Sequence, residues 1–459
     1  MTNPILAPEL LELIDNGDHA KLREVVDTVH PAETADFVAA LDDTDVWRFL
    51  SVVPQQQAAE IFSHFDLERQ VELAGGANRR AMARMLEELP HDDRADLVRR
   101  LDPQVTEQIL PLVAKAERED IRKLASYAEG TAGALMSSDY ATLRPDMTVA
   151  QALEQVRLQA PSRETIYYIY VVDENHRLIG LVSLKDLILA KPGQTIRDIM
   201  HEDVISTDVN DDQEPVAHKI EKYDLLAIPV VNGDGKLVGI ITHDDVLDVI
   251  RQEQQEDVEK LMAIGGRHLA GEYLRTPAWT HFRNRVTWVV ILAILGLVSG
   301  LIVQNFEGLL LQFAILAAFM PMLADTGGNT GSQSATLVVR ALAMEEVRPK
   351  DMLRVILKEL RVSILLAVVL ALVAFGRVMA FGGGSTMPEG ASLAWVGMAI
   401  SIALGFQVIS ATLIGAILPL GAAKMKLDPA VVASPALTTI VDITGLLLFF
   451  GTAKLLLGV

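Results

Sequence analysis

The sequence predicts a multi-domain chain: an all-α N-terminal superhelical domain, an α+β unit made of two like halves, a connecting helix and a five-helix α transmembrane domain. Three observations predict it. Within a net charge of −20 over 459 residues, the first 282 residues are strongly acidic and the remainder is slightly basic. A strand–turn–strand–helix pattern occurs twice between residues 133 and 250. Long aliphatic runs then dominate from residue 286 to the end, each of a length that crosses a hydrocarbon layer.

Composition narrows the chemistry. So acidic a chain lacks the basic patches that grip phosphate backbones, so no nucleic-acid partner is expected. It does concentrate cations. There is no cysteine, which excludes disulfides and thiolate metal sites. Oxygen ligands are left, and these suit hard ions such as Mg²⁺, Ca²⁺ and Mn²⁺. The opening stretch MTNPILAPELLELIDNGD has no basic n-region and no cleavage site, so it does not read as a signal peptide and the acidic half is expected in the cytoplasm.

Residues 1–130 form the acidic helical domain. LDDTDVWRFLSVVP, FDLERQVELAGG and LPHDDRADLVRRLDP share a pattern: Asp or Pro at a helix start, then apolar residues at helical spacing. The loose period near 30 residues fits stacked helix pairs, with an ordinary helical bundle as the alternative. Residues 131–250 hold the duplication. IYVVDENHRLIGLVSLKDLI and AIPVVNGDGKLVGIITHDDVL each give a strand, a polar turn, a second strand ending in Gly-aliphatic-aliphatic-Ser/Thr, and an acid that opens a helix. Each copy follows a Met-ended segment, GALM or RDIM. This order resembles a pair of CBS domains, at about 133–190 and 195–250. That resemblance implies one packed disc and, in several members, adenine nucleotide such as ATP, with the acid after Ser/Thr on the ribose. Here that acid is Asp186 or Asp245; the alternative is that both simply cap helices. Residues 251–283 continue a polar helix from HDDVLDVIRQEQQEDVEKL as a connector.

Residues 284–459 hold five expected spans, at 286–306, 309–323 with an extension, 355–379, 393–420 and 431–457. Arg283 and Arg285 precede the first span, and Lys and Arg lie in the loops after the second and fourth. The positive-inside rule therefore places the N-terminus in the cytoplasm and the C-terminus outside. Asp442 stands alone, with no other ionisable side chain between Pro429 and Ala453. An acid at that depth is costly and normally faces a watery cavity or an ion; the alternative is a protonated Asp hydrogen-bonded to Thr439 or Thr444. Pro435, Thr438, Thr439 and Gly445 are expected to soften that helix and free oxygens toward a cavity. Two copies of Asp442 on a twofold axis would make a field that a divalent ion neutralises better than a monovalent one. In PMLADTGGNTGSQSATLVVRALA, Pro321 is expected to break the backbone ladder. Gly327, Gly328 and Gly331 allow close approach, and a helix is expected to restart at Ser332. Asp325 and Asn329 supply oxygens there. A packing turn is the plainer reading of this stretch, and anion binding at the new helix end is opposed by the charge of Asp325.

P-x-x-x-D-x-G-G-N from Pro321, with the late D-x-x-G of Asp442 and Gly445, resembles the MgtE family of magnesium channels, as does the domain order over essentially the whole chain. The resemblance implies a homodimeric, multi-pass Mg²⁺ importer of the bacterial cytoplasmic (inner) membrane, serving ion homeostasis, with Mn²⁺, Co²⁺ and Ni²⁺ as further candidate ions. It implies Asp442 as the central ion site, supported by Thr438 and Ser434. From Asp203 to Lys260 acids outnumber Lys and Arg three to one, and the bland reading of any one of them is a solvated surface. The resemblance implies that Asp212, Glu214, Asp224, Asp245, Asp248, Glu253, Glu256 and Asp257, with Asp92 or Asp93 from the N-terminal domain, bind cytosolic Mg²⁺ and hold the pore shut. A cation transporter coupled to Na⁺ or H⁺, with Asp442 as carrier, is the alternative. No nucleophile–base pair, Walker loop or His cluster marks an enzyme.

Overall fold

Cross-links at one recurring spacing shape the N-terminal region. The computed structural model describes residues 7–160, 163–262, 264–265, 273, 276–344, 346–384, 388, 391–432 and 435–458. The chain divides into two compact units, Met1–Arg251 and Gln252–Val459, and each is described by itself. The first unit opens with α1 (Ala7–Asp15), α2 (His19–Thr28), α3 (Pro31–Val38), α4 (Asp43–Val52), α5 (Gln55–Ser63), α6 (Leu67–Gly76), α7 (Arg79–Glu88), α8 (His91–Arg100), α9 (Pro103–Ile109) and α10 (Lys115–Ala125). The acidic turns are helix caps: Asp18, Asp42 and Asp102 each accept a backbone amide of the following helix, which satisfies otherwise orphaned donors. α3 packs on α5, α5 on α7, α7 on α9, and α6 on α8, which meets α10. Three bonds, Arg23 Nε to the Val52 carbonyl, Gln55 Nε2 to the Arg84 carbonyl and Arg79 Nε to Gln108 Oε1, each span 29 residues. A constant spacing means that each helix pair repeats the geometry of the last, which is a superhelix rather than a closed bundle. Phe49, Phe62, Leu73, Met82 and Leu86 fill its core.

The duplicated region repeats in three dimensions. After α11 (Ala132–Leu135), the first half contains β1 (Tyr140–Leu143), α12 (Val149–Gln159), β2 (Thr165–Val172), β3 (Leu178–Ser183) and α13 (Leu184–Leu189). After α14 (Ile196–Ile199), the second half contains β4 (Thr207–Asp208), α15 (Gln213–Lys222), β5 (Ala227–Val231), β6 (Leu237–Thr242) and α16 (His243–Leu261). Both sheets are ordered alike, with a parallel outer pair and an antiparallel inner pair. The Met-ended segments cross over. Met136, ahead of the first half, packs on Gly239 of the second, and Met200, ahead of the second, packs on Gly180 of the first. Backbone bridges Ser137–Ile240 and Leu181–His201 follow the same exchange. The glycine of each Gly-aliphatic-aliphatic strand is thus the seat for the other half's methionine, since a Cβ at either position would come within 3 Å of it.

The second unit contains α17 (Ala278–Asn305), α18 (Glu307–Gln312), a 3₁₀ stretch (Ala314–Phe319), α19 (Met320–Ala343), α20 (Met352–Phe381), α21 (Leu393–Lys424), α22 (Pro429–Val432) and α23 (Pro435–Leu457). Among the described residues four helices are long and apolar enough to cross a membrane: Ala278–Asn305, Pro349–Phe381, Leu393–Lys424 and Ala436–Leu457. α19, with 24 residues, is long enough but carries too many polar side chains to join them. Three expectations are corrected. The chain does not break at Pro321 and restart at Ser332. Pro321 lies in the first turn of α19, where its missing N–H is harmless, and the helix runs unbroken through the glycines. Residues 309–319, expected as part of that span, form α18 and the 3₁₀ stretch instead. α23 is likewise continuous from Pro435 through Gly445, so no carbonyls are freed there. The glycines serve packing. α21 is the buried centre, in contact with α19, α20 and α23. Small residues let membrane helices approach closely where no water drives them together. Where backbone meets backbone, a Cβ on Gly415 would overlap the Gly331 carbonyl oxygen, whereas one on Gly421 would meet nothing within 4 Å.

Gly415→Ala is therefore expected to lower the stability of the detergent-solubilised protein by about 1–3 kcal/mol, the usual range for overpacking, while Gly421→Ala is neutral or mildly stabilising. Thermal unfolding followed by tryptophan fluorescence checks the pair; equal midpoints would remove the close α19–α21 contact.

Candidate functional site

α19 and α23 meet along a glycine seam. Gly327 lies against Val441, Gly328 against Thr438, and Gly331 against Leu437 and Val441. Val441 thus lies between Gly327 and Gly331, one turn apart on α19. Asp442, one turn beyond Thr438, is half-buried, and its Oδ1 is enclosed without a hydrogen-bond partner. Thr444, one of the expected partners, instead donates to the Ile440 carbonyl at 2.8 Å. A carboxylate oxygen shut away from donors on a membrane-length helix calls for a cation or its water shell. Asp325 and Asn329 lie on an exposed face of α19, joined by a bond from Asn329 Nδ2 to Asp325 Oδ1 at 3.0 Å. Gln333 continues that exposed face one turn on. Ser434 lies outside the described residues.

The first unit gathers a second set of oxygens. Asp92 and Asp93 occupy the first turn of α8, and Asp245 the first turn of α16. Glu164, just ahead of β2, and Asp244 join them. Burial, then Asp245 and its acidic neighbours, pushes the Asp92 carboxyl well above its ordinary value. The same causes raise Asp93 to about 7 and Glu164 to about 7. Asp245 rises to about 6 through burial, against the hydrogen bond from Thr242, with Asp244 adding to the rise. Asp92 Oδ1 is buried and has no hydrogen-bond partner, so the set fits a cation that would neutralise it. Among the described residues, however, no three such side chains converge on one point at metal-ligand spacing. The acids form a field rather than a closed shell, which suits a partly hydrated ion.

Beside this field sits a network of fixed charges that sequence reasoning missed. His91 places Nδ1 3.0 Å from Asp120 and Nε2 2.9 Å from Asp139. Arg94, almost wholly buried, reaches Glu117 at 2.7 Å and Asp120 at 2.8 Å, and Arg163 reaches Asp139 at 3.1 Å. Burial opposes the charge on His91, but its bonds to Asp120 and Asp139 prevail and raise it to about 9. The run HDD held the only signal: a basic ring beside two acids at a helix start.

The other expected acids are spread out. Asp212 caps α15, accepting from the Glu214 amide at 3.0 Å, while Asp224 lies past the far end of that ten-residue helix, in a left-handed turn. The length of α15 keeps one ion from touching both. Asp248 is exposed and pairs with Arg251 at 3.2 Å. Glu253 and Glu256 lie further along α16, where Glu256 meets Lys260 at 3.0 Å and Lys260 meets Asp428 at 2.9 Å. Burial, then Asp428, raises the Asp257 carboxyl. Leu261, the last residue of α16, packs with Ala335, Ala411, Leu437 and Val441, at the foot of the glycine seam. Asp186 and Asp245 both take the capping role, accepting from Ser183 Oγ and Thr242 Oγ1 at 2.6 Å each.

The pH dependence of metal-free protein follows. Asp93, Glu164 and Asp245 have folded values raised above the usual carboxylate value near 4, so the folded unit holds protons that the unfolded chain releases. Their contribution favours folding at low pH and is lost as pH rises through about 6 to 7. His91, raised from 6.5 to about 9, contributes fully below 6.5 and is lost through about 9. Full-length protein in chelator should therefore melt at progressively lower temperature from pH 5 to 9, and Mg²⁺ should flatten the trend above pH 7. Calorimetry with and without Mg²⁺ checks this; a rising trend would mean that these acids are solvated.

Family models match at residues 29–130 (MgtE intracellular N domain), 132–193 and 196–252 (CBS domain) and 320–452 (MgtE, divalent cation transporter). The chain is 39% identical to the magnesium transporter MgtE of Thermus thermophilus over 455 residues, 98% of both chains. It is 33% identical to that of Bacillus subtilis over 454 residues, 99% of this chain and 98% of that one. Two crystal structures resemble its first part. One is the soluble part of a magnesium transporter (35% identical, TM-score 0.52, 54% of this chain and 97% of that chain). The other is the cytosolic domain of the Mg²⁺ channel MgtE in complex with ATP (40% identical, TM-score 0.51, 53% of this chain and all of that chain). By near full-length identity and by domain order, the chain belongs to the MgtE family of magnesium transporters.

Proposed function

We propose that this chain is a Mg²⁺-selective channel of the bacterial cytoplasmic membrane, with its N-terminus inside and C-terminus outside, that admits Mg²⁺ down the membrane potential and is closed by cytosolic Mg²⁺. The observation that carries the reading is the enclosed, unpartnered Oδ1 of Asp442 on a continuous membrane-length helix. One carboxylate attracts any cation; two, on a twofold axis, discriminate by charge. The polar face of α19, with Asp325, Asn329 and Gln333 exposed, supports a homodimer, because such a face is unfavourable against lipid and favourable along a water-filled path. Mn²⁺, Co²⁺ and Ni²⁺, of like charge and size, are the competing ions to test.

Regulation uses the same electrostatics. With little cytosolic Mg²⁺, the charges of Asp92, Asp93, Glu164 and Asp245 repel, and the N-terminal domain parts from the CBS pair. With ample Mg²⁺ the field is neutralised and the closed form is favoured, which requires Mg²⁺ to bind that form more tightly than the open one. α16 begins beside these acids and ends at Leu261, against the foot of α19 and α23, so a shift at its start can bear on the seam. The acids at Glu253, Glu256 and Asp257 add to the field along its length. Adenine nucleotide is a second proposed ligand of the CBS pair. The Asp186 side suits it better than the Asp245 side, where the acid field repels phosphates.

In patch recordings from liposomes, Asp442→Asn is expected to reduce Mg²⁺ current by about 10²-fold or more, as losing a charged pore ligand does. Wild-type current under that substitution, or Mg²⁺ flux strictly coupled to H⁺ or Na⁺, would overturn the channel reading. Neutralising Asp92, Asp93, Glu164 and Asp245 together should leave the current and remove its inhibition by internal Mg²⁺. Inhibition unchanged in that variant would sink the gating model.

A further inference from the structure

One buried amide is unexplained by the function so far. Gln407 is 1% exposed, near the middle of the 32-residue helix α21, in a bundle whose other buried polar side chains, among the described residues, are hydroxyls. A primary amide brings two donors and an acceptor that must be satisfied in such a place. Its Nε2 donates to the Leu323 carbonyl of α19 at 3.2 Å, and its Oε1 is buried with no protein partner. Two glycines make the space. A Cβ on Gly327 of α19 would overlap Nε2, and a Cβ on Gly445 of α23 would lie 3.0 Å from the Gln407 Cγ. The amide therefore occupies a notch cut into both helices that carry the oxygens of the ion path.

The placement of those glycines is informative. Gly327 lies two residues after Asp325 and two before Asn329. At about 100° per residue it faces nearly opposite to both side chains. A group seated on Gly327 thus turns Asp325 and Asn329 outward. Gly445 lies three residues after Asp442, so a group seated there also sets the rotation of the Asp442 side chain. The glycines of both motifs are the two walls of one slot, and its occupant comes from a third helix.

We propose that Gln407 is a positioning residue for cation passage: its amide keys α19 to α23 and fixes their rotation so that Asp325, Asn329, Thr438 and Asp442 offer oxygens to one path. This rests on the channel reading above. The donor to the Leu323 carbonyl is essential to it. Met matches the length of Gln but donates nothing, Glu matches its shape but exchanges the two amide N–H donors for at most one O–H, and Ala at Gly327 evicts the amide while leaving Gln407 in place.

The test uses full-length protein in liposomes, with Mg²⁺ and Na⁺ permeation measured against Mg²⁺ concentration. Gln407→Met and Gln407→Glu are expected to raise the half-saturating Mg²⁺ concentration and to lower Mg²⁺-over-Na⁺ discrimination by about tenfold or more, as displaced ligands do, with maximal flux less affected. Gly327→Ala should give the same shift and supplies the measurement if the Gln407 variants fail to fold. A loss of thermal stability with selectivity and half-saturation unchanged would reduce Gln407 to a packing residue and overturn the proposal, as would wild-type behaviour in all three. If Asp442→Asn conducts normally, the channel reading itself has failed; if Asp442→Asn is impaired and the Gln407 variants are not, only this inference has.

Discussion

An uncompensated negative charge is intolerable inside a low-dielectric layer, and the whole molecule is arranged around that constraint. The Asp442 carboxylate lies on a continuous helix with one oxygen enclosed and unpartnered. On the proposed channel reading, its charge is tolerated because a cation shares the space. The helices beside it must therefore come close without covering it. Glycines at the seam allow this, at a propensity loss of about 1 kcal/mol each that close packing offsets.

The acidic unit applies the same rule in a gentler dielectric. Asp92, Asp93, Glu164 and Asp245 crowd one another enough to hold protons near neutral pH, yet they do not close round a point. On the proposed reading, a field of this kind answers to ion concentration rather than to one tight site. The neighbouring ion pairs of His91, Arg94 and Arg163 work differently. They carry both signs, so they hold their contact whether or not a cation is present. Repulsion and attraction placed side by side make a contact that is poised rather than permanently made.

Much of this was legible in the residues. The charge division, the doubled strand pattern and the isolated Asp442 each follow from a local rule of solvation or periodicity. The glycines after Pro321 are expected from sequence to allow close approach, but beside a break in the helix that the structure does not contain. They are packing seats, a distinction invisible until the partner is known: Gly180 and Gly239 receive methionines from the opposite half, and Gly327 and Gly445 receive Gln407. Glu164 and the His91 network escaped notice because their partners lie tens of residues away. The separation of Asp212 from Asp224 by the length of α15 is likewise a property of the folded helix.

The amino-acid order alone determined which long segments are apolar enough for lipid, because transfer of each side chain between lipid and water is a local property that sums along the chain. It likewise determined the helix starts, whose Asp and Ser caps act within one turn. Only the folded structure decided which acids face one another, which glycine seats which side chain, and that α19 and α23 run unbroken. Those outcomes depend on charge repulsion and steric fit between segments far apart in the chain, and such energies have no value until the segments touch.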